Sequence, residues 1–121
     1  MDKNDTKMTI ADLKLLVKDF VEERDWGQYH TPKNLSMDLA IEAAELMEIF
    51  VWFDGKESVE ELEKRREAVG DELADVLMVI LNFSYRYNFD LSTIFQNKMK
   101  QNAQKYPVEK AKGGRTKYTE L

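Results

Sequence analysis

A chain of 121 residues with 43% hydrophobic and 34% charged residues is sized for one globular domain and is too apolar for a disordered segment. Its net charge of −5 argues against general nucleic-acid binding, and the absence of cysteine excludes disulfides, thiolate nucleophiles and cysteine-ligated zinc. The first residues lack the apolar core of a signal peptide, and no apolar run approaches the roughly 18 residues that span a bilayer. The expected setting is the cytoplasm, without membrane attachment. Few Gly and Pro and long runs of 3.6-residue period point to an all-α fold.

Residues 1–8 are polar and are expected to fray. Thr9 caps a first helix, with Asp12 three residues on. Ile10, Leu13, Leu16, Val17, Phe20 and Val21 recur at helical spacing to about Arg24. Asp25-Trp26-Gly27 breaks the pattern, with Gly27 as the expected helix terminator or turn residue. The loop Trp26, Gly27, Gln28, Tyr29, His30 is rich in rings and hydrogen-bonding groups and holds the only histidine.

Thr31-Pro32 starts a second helix, expected to run to about Phe53. Leu35, Leu39, Ala43, Leu46 and Phe50 form its core stripe, with Glu42 beside it and Glu45 beyond. Ile49 falls between the two acids around the wheel, so that flank is not a plain solvated face. Asp54-Gly55-Lys56 is a turn, and Ser58 with Glu61 predicts a capping box for a third helix. That helix is charged through Glu67 and apolar after Val69. Gly70 inside it either permits a close contact or does nothing. Asn88 to Asp90 turn the chain, and Asp90 caps a fourth helix bearing Leu91, Ile94, Phe95, Met99 and Ala103, which ends before Pro107. The tail 108–121 is expected to be irregular, with four basic residues against two acidic ones.

Glu42-Ala-Ala-Glu45, 26 residues, then Glu72-Leu-Ala-Asp75 carries the chemistry. Each half is an acidic pair at i, i+3, neighbours on one helix face, and each sits in an apolar run. Four such carboxylates with no Lys or Arg among them repel, and a hard divalent cation removes the repulsion. Mg²⁺ is the expected cofactor, with Mn²⁺ able to stand in, and a phosphate chain is the natural anionic substrate. A single Glu-x-x-Glu is common on solvated helices; two in apolar surroundings are not. Glu45 is the choice for the carboxylate that activates water. Trp26 and Trp52 offer rings on which a nucleobase can stack, although a Trp taken alone is more often a core residue. Lys105, Tyr106, Lys117 and Tyr118 can meet phosphates, or form an ordinary basic surface.

With these residues in view the chain resembles the all-α nucleoside triphosphate pyrophosphohydrolases, the MazG-like and dUTPase-like superfamily. Glu23-Arg-Asp-Trp26, Gln28-Tyr-His30, Pro32-Lys-Asn-Leu35 and the ending Lys117-Tyr-Thr-Glu-Leu121 resemble its dCTP pyrophosphatase branch. The likeness runs from about Leu13 to the C-terminus. It implies cleavage of a deoxynucleoside triphosphate between the α and β phosphates, with Glu42, Glu45, Glu72 and Asp75 holding Mg²⁺. The segment Trp26 to His30 and Trp52 would hold the nucleotide. It also implies a homo-oligomer, a dimer or a tetramer built from dimers, with sites completed across subunits. Vertebrate members of the branch carry a substrate-contacting Tyr one turn after the final Asp; here Val79 stands there, which bears on base preference.

The expectation is therefore one domain over 1–121, a four-helix bundle-like protomer, acting on dCTP in cleansing of the nucleotide pool. Two others stand beside it: a dUTP or phosphoribosyl-ATP pyrophosphohydrolase on the same fold, and a non-catalytic helical interaction domain.

Overall fold

A computed structural model of the chain describes residues 3–121. Of the residues 1–8 expected to fray, 1 and 2 lie outside the described range. Asn4 to Met8 form a turn in which the N–H groups of Lys7 and Met8 both donate to the Asn4 carbonyl oxygen, at 2.9 and 3.0 Å. All regular structure among the described residues is helical, with no strand, and they fall into two units, Met1–Asn88 and Phe89–Leu121.

In the first unit, α1 (Ile10–Glu23) starts at a reciprocal capping box. The Asp12 N–H donates to Thr9 Oγ1 at 3.1 Å, and the Thr9 N–H donates to Asp12 Oδ2 at 3.0 Å. Its end is decided two residues before Gly27. Asp25 takes the left-handed conformation (φ 53°), which Asp tolerates better than most residues. The Trp26 N–H then reaches back to the Val21 carbonyl and the Asp25 N–H to that of Glu22, both at 3.1 Å, the Schellman pattern. Gly27 begins a 3₁₀ turn, Gly27–Tyr29, instead of ending the helix.

Helix α2 (Pro32–Phe50) is capped by Thr31 and stops three residues short of the expected Phe53. The Phe53 N–H bonds to the Phe50 carbonyl at 3.0 Å, a tighter i→i+3 closure that ends the helix in a turn. Helix α3 (Gly55–Lys64) begins earlier than Ser58 predicts. Asp54 is the cap: its carboxylate accepts from the Glu57 N–H at 2.8 Å, and an ionised acceptor is favoured at a helix N-terminus. The Ser58 hydroxyl instead donates to the Gly55 carbonyl at 2.6 Å. The expected single third helix is two, broken at Arg65 (φ −120°, ψ 32°), with α4 running Arg66–Arg86. Helix α3 buries no residue fully.

Helix α4 is the centre of this unit and packs on both α1 and α2. Val17 and Val21 of α1, Leu35 and Ile49 of α2, and Val69, Val79 and Leu81 of α4 form the core. Each such side chain contributes about 1.5–3 kcal/mol when fully buried. Leu39, Ala43, Leu46 and Phe50 are only partly covered. Leu16, Ile41, Met47 and Leu73 are more than half exposed, so α1, α2 and α4 each show apolar surface to solvent. Nothing lies within 4 Å of where a Cβ on Gly70 would stand, so this glycine serves no close helix contact.

In the second unit, α5 (Leu91–Lys105) is capped by Asp90, which accepts from the Thr93 N–H at 3.0 Å. The tail after Pro107 is less irregular than expected: it holds α6 (Val108–Ala111) and a 3₁₀ turn, Tyr118–Glu120. Tyr118 sets its ring edge-to-face on Tyr106 at 5.9 Å, and the Lys105 ammonium lies 4.7 Å from the Tyr118 ring centre. These contacts tie the tail to the end of α5 and give it an ordered partner.

Candidate active site

Because α2 packs on α4, the two acidic pairs meet. Glu42, Glu45, Glu72 and Asp75 each offer a carboxylate oxygen, and these oxygens all lie within 4.8 Å of one another. Glu42 and Glu72 are half-buried; Glu45 and Asp75 are exposed. Oε2 of Glu42 and Oε2 of Glu72 are shielded from solvent and have no hydrogen-bond partner. Burial, then the charges of Glu45 and Asp75, push the Glu42 carboxyl up to about 7. Glu72 is raised by burial and then by the same two neighbours. Four oxygen donors in mutual repulsion, two of them buried with no hydrogen-bond partner, fit a hard divalent cation.

The quartet borders two clefts. One, of about 280 Å³, is lined by Phe20, Trp26, His30, Asp38, Glu42, Asp75, Met78, Val79 and Asn82. The other, of about 350 Å³, is lined by Glu45, Glu48, Ile49, Arg65 and Glu72. The first is an aromatic slot. The second is polar, and Arg65, at the break between α3 and α4, is the one cation among the described residues lining either.

The aromatic cleft is built by the Trp26–His30 loop and held from α4. Trp26 packs edge-to-face on Phe20, ring centres 5.6 Å apart, and the Arg24 guanidinium lies 3.8 Å over Phe20. Arg86 Nη2 donates to the Gly27 carbonyl at 2.9 Å, and the Tyr87 hydroxyl donates to the His30 carbonyl at 2.8 Å. From α2, Asn34 Nδ2 donates to the Tyr29 carbonyl at 2.7 Å. A Cβ on residue 27 would stand 2.7 Å from Arg86 Nη1, so a larger residue there would make the guanidinium shift. Asn82 Nδ2 lies 2.9 Å from His30 Nδ1. Burial, then the Arg86 charge, lower the His30 pKa, with Asp38 opposing. The lowered pKa favours the neutral ring, and in its Nε2–H tautomer Nδ1 accepts from the amide.

Of the residues expected to bind substrate, Trp26, His30 and Val79 line the aromatic cleft beside the quartet. Gly27 is the anchor of the loop and not a wall. Gln28 turns away, donating to the Asp25 carbonyl at 3.0 Å, and Tyr29 is 60% exposed. Trp52 lies in the turn after α2, 89% exposed, and lines neither cleft. Lys105, Tyr106, Lys117 and Tyr118 belong to the second unit, where Lys105, Tyr106 and Tyr118 touch one another. Asn82, Asp38, Phe20 and Arg65 were not among the expected site residues. Asn82 had a signal: it is the single amide in the apolar run Val76–Phe83, seven residues after Asp75. Asp38 had a weaker one, lying one turn before Glu42.

Residues 38–121 match the MazG-like family, a stretch that holds both acidic pairs. The chain is 38% identical over 115 residues to dCTP pyrophosphatase 1 of Homo sapiens and of Rattus norvegicus, across 93% of this chain and 68% of each relative. The Bos taurus protein of the same name is 36% identical over the same length. Among solved structures, a pyrophosphatase from Archaeoglobus fulgidus DSM 4304 is similar with a TM-score of 0.78 and 35% identity, covering 88% of this chain and 97% of that one. The chain belongs to the MazG-like family.

Proposed function

We propose that this nucleoside triphosphate pyrophosphohydrolase acts on a deoxynucleoside triphosphate, dCTP first, with Mg²⁺ as cofactor, and releases the monophosphate and pyrophosphate. The observation that carries the reading is the quartet bordering an aromatic cleft on one side and an Arg65-lined polar cleft on the other. A nucleotide laid across it would have its base against Trp26 and its outer phosphates toward Arg65.

Glu42, Glu45, Glu72 and Asp75 would hold Mg²⁺, or Mn²⁺ in its place, which when bound neutralises the phosphate charge and polarises the linkage to be cleaved. The chain supplies the rest. Trp26, braced by Phe20, stacks the base and orients the sugar. Exposed Glu45 takes the proton from the attacking water as its oxygen bonds to phosphorus. The bond from phosphorus to the α–β bridging oxygen breaks, and pyrophosphate leaves with the bond's electron pair, met by the Arg65 guanidinium.

The exposed apolar faces of α1, α2 and α4 support self-association as a dimer or a dimer of dimers. No helix among the described residues is long and apolar enough to cross a membrane. A cytoplasmic role in removing excess or non-standard deoxynucleotides before polymerases use them accords with the reaction.

The test is pyrophosphate release from dCTP, dATP, dGTP, dTTP and dUTP, with and without Mg²⁺. Mg²⁺-dependent release led by dCTP is expected. Release led by dUTP would keep the chemistry and change the substrate. No release from any nucleotide would leave the helical interaction domain as the better reading.

A further inference from the structure

The aromatic cleft contains one amide. Asn82 is 4% exposed on α4 and lines the cleft with Trp26 and His30. Its Nδ2 is engaged by His30 Nδ1 at 2.9 Å. Its Oδ1 is buried and has no partner. Buried side-chain acceptors are nearly always met, by protein, water or ligand, so an unmet one on a residue lining a cleft is a candidate to accept from a ligand. One of the two amide N–H groups faces the histidine, and Oδ1 is the atom of the side chain left buried with no partner at all.

Position fits the same use. Asn82 follows Asp75 by seven residues on one helix face, about 10 Å along the axis. That is the reach from an α-phosphate held at the quartet, across the sugar, to the edge of a base. Trp26 and Phe20 then cover the face of the ring while Asn82 meets its edge.

We propose that Asn82 is the base-reading residue, its Oδ1 accepting from an exocyclic amine, so that the cleft selects amino bases (cytosine, adenine) and rejects keto pyrimidines. A uracil or thymine would set its O4 against Oδ1, two acceptors with no proton between them, and a site built to bond a donor rejects strongly the analogue that lacks it. The inference rests on the proposed function, since it takes the cleft to be the base pocket. It also supplies a reader at this end of the cleft, where Val79 offers no hydrogen bond. Outside the quartet, Asp38 is the other side-chain acceptor lining the cleft, and it is only half-buried where Asn82 is fully buried.

The experiment compares kcat/KM for dCTP, dATP, dUTP, dTTP and the triphosphate of 2-pyrimidinone deoxyriboside, which is dCTP without its amine. It uses the wild-type protein, Asn82→Leu, Asn82→Asp and Asp38→Asn. The wild type is expected to favour dCTP over dUTP and over the amine-free analogue by about 100-fold or more. Asn82→Leu should lower kcat/KM for dCTP about 100-fold and that for dUTP far less, collapsing the ratio. Asn82→Asp keeps an acceptor and should keep the preference. Retention of the dCTP-to-dUTP ratio in Asn82→Leu, or its loss in Asp38→Asn alone, would overturn the assignment with the pyrophosphohydrolase reading intact. Should Asn82→Leu fail to fold, the wild type still decides: equal rates on dCTP and the amine-free analogue overturn it. No pyrophosphate from any nucleotide would remove the functional reading, and this inference with it.

Discussion

Arg86 and Gly27 are locked together: the guanidinium donates to the Gly27 carbonyl at 2.9 Å, in space that a Cβ on residue 27 would enter to within 2.7 Å of Nη1. This contact, with those of Tyr87 and Asn34 to the same loop, holds Trp26 in place. Gly27→Ala should push the guanidinium away and lose a charge-assisted bond of about 1.5–3 kcal/mol. The expected result is a lower Tm and a KM raised more than kcat is lowered. An unchanged Tm and KM would mean that the guanidinium moves aside without cost and that the loop is held elsewhere.

Glu45→Gln removes one charge from the quartet and the carboxylate that takes the proton. Turnover should fall by at least 10³-fold while circular dichroism and assembly stay as in the wild type, general base catalysis alone being worth about 10²–10⁴. Near-normal pyrophosphate release from this variant would assign the proton to another group.

Trp26→Ala should weaken nucleotide binding by about 1–3 kcal/mol through lost stacking, read by calorimetry with a non-hydrolysable dCTP analogue. Trp52→Ala, at a residue that is 89% exposed, should leave the Tm unchanged. If Trp26→Ala unfolded the protein and spared affinity among folded molecules, Trp26 would be a core residue.

The quartet sets the pH response of the metal-free protein. The Glu42 carboxyl, raised from 4.5 to about 7, holds a proton in the folded chain across a window where the unfolded chain has released it. Its contribution is thus fully present below its ordinary value and is lost as pH rises through 7; Glu72 acts in the same direction. The Tm without metal should be higher at pH 5 than at pH 8, and Mg²⁺ should raise it more at pH 8, where no protons compete for the oxygens. Scanning fluorimetry with and without a chelator checks this. A metal-free Tm that rises from pH 5 to pH 8 would show that the four carboxylates do not repel.

The helices were legible where a local signal was sufficient. Thr9 with Asp12, Thr31 before Pro32, and Asp90 each cap the helix that they announce, because the side chain and the N–H that it meets are three residues apart. The site was legible to the extent that it repeats along a helix: Glu42, Glu45, Glu72 and Asp75 share a spacing, and one packing contact converts two spacings into a cluster. What was not legible depended on competition or on distance. Ser58 is a sound cap in isolation and loses to Asp54, which offers a charged acceptor four residues earlier. The continuous third helix breaks at Arg65, where no Gly or Pro announces it. His30 and Asn82 are 52 positions apart, and nothing local in either says that they bond.

The double-sided quartet has a kinetic consequence. A site at the bottom of one pocket must release its products in a fixed order, the inner one waiting for the outer. Here the reacting bond would lie on a ridge between two exits, one past Trp26 and one past Arg65. Monophosphate and pyrophosphate would then occupy the protein independently, and each would inhibit in the presence of the other. An enzyme arranged in this way is slowed by either product alone, so its rate in a cell would follow both the monophosphate pool and the pace at which pyrophosphate is cleared.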